Sequence, residues 1–209
     1  MSDERPDARS AFEAGLANEY FALSGLRASS IGEAGTRASL FFTTLTGTVL
    51  ALGFLASATS AVVPVAYAAL PIVILLGLLS FLRLVEISVE DVGALRAINR
   101  IRAYYGGLVP DGLEYFPAPE KRQAVTDLVD VGARQSPWRA ALTIAATVGV
   151  MDALVGGASI AFALAHAGIA TPLAVAIGLA VALVMIWALF AHQTRRFRAA
   201  LRAGETASP

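Results

Sequence analysis

Residues 62–82 read VVPVAYAALPIVILLGLLSFL, a stretch without a single charge that ends at Arg83. As a helix rising 1.5 Å per residue it covers about 31 Å, enough to cross the ~30 Å hydrocarbon core of a bilayer. Three further apolar blocks occupy residues 40–59, 140–165 and 169–191. The blocks are continuous, whereas the strands of a membrane barrel alternate apolar and polar residues. Helices therefore satisfy the backbone hydrogen bonds, and four transmembrane helices are expected.

Composition agrees. Of 209 residues only 15% are charged, against about 25% in soluble domains, and the mean hydropathy is +0.66. Sixteen basic and sixteen acidic residues cancel, which removes a bulk-charge argument for a nucleic-acid partner. With no cysteine, disulfides, thiolate metal sites and cysteine nucleophiles are excluded. The first ten residues are polar and acidic, unlike a cleaved signal peptide, so the first apolar block is expected to stay in the mature protein.

The connections between the first and second blocks and between the third and fourth carry no Lys or Arg. The basic residues fall before the first span, between 83 and 139, and between 195 and 202. The positive-inside rule then places both termini and the central segment in the cytoplasm of a bacterial inner membrane. Phe41, Phe42, Trp138, Trp187 and Phe190 read as interfacial aromatics at the inner ends. The short outer connections leave no room for an extracellular domain.

Outside the spans, Phe12, Leu16, Tyr20, Leu23 and Leu26 make an amphipathic stripe, as do Val92, Leu95, Ile98, Ile101 and Tyr105. The second span is expected to continue as a stalk to about residue 105, where Gly106 and Gly107 end it. A further helix should follow Pro119, to about residue 134. The expected architecture is an all-α four-helix transmembrane bundle with cytoplasmic amphipathic helices before the first span and between spans two and three. Its segments are an N-terminal tail and amphipathic helix (1–38), a first hairpin (39–83), a cytoplasmic helical segment (84–138), a second hairpin (139–192) and a basic tail (193–209). A shift of 102 residues aligns Arg37-Ala38-Ser39-Leu40 with Arg139-Ala140-Ala141-Leu142, and Gly47 with Gly149, a weak sign of parallel duplication.

Asp152 is the one ionisable residue deep within an apolar block. A carboxylate there is costly unless neutral, hydrated or paired. Counted from Arg139 it lies ~20 Å along the helix, near or just past the membrane middle. It shares a face with Ala145, Gly149, Gly156 and Ser159, so it should point into a helix contact. It is either an ion or proton site or a protonated acid bonded to a neighbouring helix, with Thr44, Thr46 and Thr48 as natural partners. Gly149, Gly156, Gly157 and Gly178 lie in small-residue ladders suited to close packing, within the chain or between copies. Arg195, Arg196, Arg198 and Arg202, interleaved with Phe197, suit anionic lipid headgroups or another phosphate. No phosphate loop, zinc spacing or nucleophile elbow is present, and no catalytic residue, cofactor or metal is expected.

The run Asn18-Glu19-Tyr20-Phe21-Ala22-Leu23, then Arg27, Ile31, Glu33-Ala34 and Arg37-Ala38-Ser39-Leu40, resembles a group of small, uncharacterised four-span membrane proteins of bacteria, chiefly actinobacteria. Ser88-Val89-Glu90-Asp91 and Arg96-Ala97-Ile98-Asn99-Arg100-Ile101-Arg102 are similar to theirs too. That resemblance implies an inner-membrane protein and brings no activity with it. A cytoplasmic helix leading into a membrane hairpin also resembles, in layout alone, two-span pore-forming effectors of bacterial immunity. From the spans and Asp152, the leading expectation is a small oligomer that conducts or moves an ion or solute, with Asp152 at a helix interface or pore. The alternative is a non-enzymatic membrane-anchored regulatory or interaction protein that meets a cytosolic partner through its cytoplasmic helices.

Overall fold

The structure, a computed structural model, describes residues 4–58, 61–115 and 143–206. Among them are five helices and no strand: α1 (Glu4–Ala58), α2 (Val62–Gly106), the single turn α3 (Gly112–Tyr115), α4 (Ile144–His166) and α5 (Thr171–Thr206). All except α3 are long and apolar enough to cross a membrane. The helix expected to run to about residue 134 and the start of the third block lie outside the described residues.

The separate amphipathic helix expected before the first span is not separate. Residues 4–38 and the first span form one uninterrupted helix of 55 residues. No proline follows Pro6 in it. Gly15, Gly25, Gly32 and Gly35 each disfavour helix by up to ~1 kcal/mol, but they are scattered singly, and packing against α2 outweighs them. α2 likewise continues through Pro71 and past Arg83 to Gly106, 45 residues in all. Gly107 ends it, its N–H turning back to the carbonyls of Ala103 and Tyr104.

A seven-residue repeat holds α1 and α2 together. Tyr105 Oη donates to the Glu13 carbonyl at 2.7 Å. The Arg102 guanidinium lies over the Tyr20 ring, 5.9 Å from its centroid, and Arg27 pairs with Asp91. Ala34 and Leu84 share one apolar core, and Phe41 closes on Gly77. Glu13, Tyr20, Arg27, Ala34 and Phe41 are spaced by sevens; so are Gly77, Leu84, Asp91, the buried Ile98 and Tyr105. This is the seam of an antiparallel coiled coil, and it runs unbroken from the apolar half of the hairpin into the charged half.

α4 begins at Thr143, whose Oγ1 accepts from the Ala146 N–H at 3.1 Å. It turns into α5 through Gly168, which adopts φ 90°, a conformation that costs glycine little. α2 lies at the centre of the bundle and packs on α1, α4 and α5; among the described residues α1 and α5 are not neighbours. Tyr67 meets Phe162, Gly77 meets Asp152 and Phe81 meets Gly149. As α2 numbers rise the α4 numbers fall, so both hairpin turns lie at one end. At the other end Arg83 to Gly106 of α2 projects about 36 Å beyond its apolar block, paired with α1 as a two-helix stalk. The end of α5 lies along it: Phe197 packs on Val92 and Leu95, and Arg96 Nη1 donates to the Ala200 carbonyl at 3.0 Å.

Candidate functional site

Two regions hold the residues singled out in the sequence: the bundle contact around Asp152, and the stalk with the basic end of α5.

Asp152 is 0% exposed and faces a neighbouring helix, as its spacing implied. It is eight residues from the start of α4, ~12 Å, and fourteen from His166, ~21 Å. The carboxyl fills a notch at Gly77. A Cβ at that glycine would overlap Asp152 Oδ1, come within 2.5 Å of its Cγ and meet Phe41 Cε2 at 2.7 Å. Phe41, read as an interfacial aromatic, is 0% exposed and closes the notch. Neither Asp152 oxygen has a hydrogen-bond partner. Thr44, Thr46 and Thr48 therefore do not hold it. They sit three to seven residues further along α1, the first two exposed and Thr48 half-buried, and the position on α1 that meets the carboxyl is Phe41.

The four glycines are contacts within the chain. A Cβ on Gly157 or on Gly178 would overlap the other's carbonyl oxygen and lie 2.8 Å from Ala182 or Ala161 respectively. Gly149 receives the Phe81 ring and Leu189, and Gly156 receives Met185 Sδ. This is the close crossing that small residues at four-residue spacing permit.

In the stalk, Arg27 Nε and Nη2 donate to Asp91 Oδ1 and Oδ2 at 2.6 and 3.2 Å. Glu33 accepts from Arg37 at 2.9 Å and from Arg83 at 3.1 and 3.3 Å, while Arg83 also reaches Glu86 and Glu90. Hydrogen bonds from Arg83 first, then Arg37, hold the Glu33 carboxyl below the usual carboxylate range, and Glu33 in turn pushes the Arg83 guanidinium up. Arg102 donates to Tyr20 Oη and lowers its phenol from the ordinary tyrosine value. Arg27–Asp91 and Arg83–Glu33 tie α1 to α2, while Arg9–Glu13 and Arg37–Glu33 lie within α1 and Arg83–Glu86 and Arg83–Glu90 within α2. Arg195, Arg196, Arg198 and Arg202 are all exposed, while Phe197 between them is buried against the stalk. α5 thus turns its aromatic inward and its guanidinium groups outward.

Sequence reasoning passed over Gly77 and Phe41, which make the Asp152 notch. The signal was the seven-residue spacing shared by Phe41, Ala34 and Arg27 and by Gly77, Leu84 and Asp91, masked because a charged pair occupies one step of the seam. Among the described residues no three His, Cys, Asp or Glu side chains gather to hold a metal. Against family models, curated proteins and solved structures the chain finds no match.

Proposed function

We propose that this chain is a non-enzymatic membrane-anchored protein of the bacterial inner membrane that works through its stalk, binding a cytosolic protein partner. The supporting observation is the coiled-coil seam, which carries one register from Phe41–Gly77 in the bundle to Glu13–Tyr105 at the far end of the stalk. Such a hairpin fixes a surface at a set distance from the bilayer. That surface has apolar positions turned away from α2: Phe21 is 72% exposed, Leu26 62% and Ile31 60%. The positive-inside distribution puts the stalk and both termini in the cytoplasm, with the arginines of α5 against anionic headgroups at its base. Asp152, enclosed between α4, α2 and Phe41, faces no surface of the single chain, which weighs against its lining a pore assembled from the outer faces of several copies.

A photo-crosslinking residue placed at Phe21 or Leu26 in cells is expected to capture one defined protein, and the adduct should vanish when Phe21→Glu is introduced beside a Leu26 probe. The same probe at Leu50 or Phe54 should capture none. Purified protein in liposomes is expected to be ion-tight. Stalk probes that capture nothing, together with ion flux through those liposomes, would overturn this reading in favour of a conducting oligomer.

A further inference from the structure

The buried group that the stalk leaves unexplained is Asp152. Its carboxyl is fully enclosed, both oxygens lack partners, and the space it fills exists because residue 77 has no side chain. Among the described residues no counter-charge faces it. On α2 the nearest charged residue is Arg83, six residues toward the stalk and committed to Glu33. On α1 it is Arg37, one turn before Phe41 and bonded to the same Glu33. On α5 the nearest titratable group is His192, exposed and three residues beyond the Leu189 that packs on Gly149. On α4 itself His166 stands fourteen residues away. A carboxylate enclosed without a hydrogen-bond partner is far more costly to bury than the neutral acid, so the protonated form suits this notch.

We propose that Asp152 is a proton-binding site whose occupancy sets the contact between α4 and α2. Protonated, the side chain docks on Gly77 beneath Phe41. When the O–H bond breaks and the proton passes to water, the carboxylate must leave the notch, and α4 parts from α2 at that level. Exchange takes place from the stalk side: Gly77 is six residues, ~9 Å, from Arg83 but fifteen from the start of α2. A cavity of about 180 Å³ bounded by Ala34, Leu84, Thr143 and Ala145 loosens the packing on that side. None of this depends on what the stalk binds.

The test uses the full chain in nanodiscs, where the absence of native cysteine allows spin labels at Leu79→Cys on α2 and Met151→Cys on α4, both exposed positions. The distance distribution should be short and narrow at about pH 5 and lengthen or broaden by about pH 9. Asp152→Asn, which keeps shape without charge, should hold the short distance throughout, and Gly77→Ala should give the long one throughout. Infrared spectra at about pH 7, where exposed carboxyls are ionised, should show a protonated-acid carbonyl band in the wild type that Asp152→Asn lacks. A wild-type distance that ignores pH, a pH response that survives Asp152→Asn, or the absence of that band would overturn the proposal. The band is read on the wild type, so it decides even where a variant misfolds.

Discussion

At the scale of single residues, glycines that look alike in sequence do opposite things. Gly178→Ala would drive a methyl group into the Gly157 carbonyl and to 2.8 Å from the Ala161 Cβ. Overpacking of this kind costs ~1–3 kcal/mol, to be read as earlier unfolding in a denaturing-detergent titration. Gly25→Ala on the stalk meets nothing within 4 Å and should stabilise by ~0.5–1 kcal/mol through helix propensity alone. Equal costs for the two would mean that the α4–α5 crossing is wrong. Glu33 supplies the pH dependence of the stalk. Its folded value lies below the unfolded one, so its contribution is present above the ordinary carboxylate range and is lost as pH falls through that range and below. Hydrogen-exchange protection at residues 27–38 and 83–91 should therefore decline on acidification in the wild type. Glu33→Gln should start lower at neutral pH and change less.

Between elements, the Arg27–Asp91 pair is the one step of the seam that sets opposite charges face to face across the two helices. The two side chains retain 30% and 17% exposure, so desolvation takes back much of their attraction. Asp91→Ala leaves a half-buried guanidinium unpaired and is expected to cost ~1–3 kcal/mol. Replacing both by leucine should recover that stability. It should also loosen the register, as happens when a polar seam residue is removed from a coiled coil. Disulfide scanning between α1 and α2 would show it: a single partner for each α1 position in the wild type, and partners one heptad away in the double variant. The end of α5 is held by less. Phe197→Ala removes the aromatic that packs on Val92 and Leu95, a loss of about 3 kcal/mol for a buried Phe. It should raise hydrogen exchange across residues 194–206 while leaving α4 unchanged.

For the whole molecule, the four long helices form two hairpins of unequal reach joined through α2. α4 and α5 hold each other by glycine and alanine contacts at membrane depth. α1 and α2 hold each other by a heptad seam that runs from Phe41 to Glu13 on α1, and α5 returns to brace the part that projects. Gly77 and one half of the stalk lie on the same continuous helix, α2, while the exposed Phe21, Leu26 and Ile31 lie on its partner α1, tied to it by the seam. The parallel duplication suggested by a shift of 102 residues has no counterpart in packing at its best-aligned glycine. Gly149 is pressed against Phe81 and Leu189, while Gly47 faces open space.

The sequence by itself determined the four apolar helices, the end of α2 at Gly106 and the inward direction of Asp152. Each follows from a local property: a run of uncharged residues long enough to span hydrocarbon, a glycine pair that breaks a helix, and a three-and-four spacing that defines a face. The continuity of α1 across the membrane boundary, the step-by-seven pairing with α2, and the notch that Gly77 and Phe41 make for Asp152 were decided only in the tertiary structure. Those depend on which residue of one helix stands opposite which residue of another. A register between helices is the sum of many weak contacts, and no single position along the chain encodes it. The threonines of α1 show the difference. Their chemistry suited Asp152, but the seam placed Phe41 there instead.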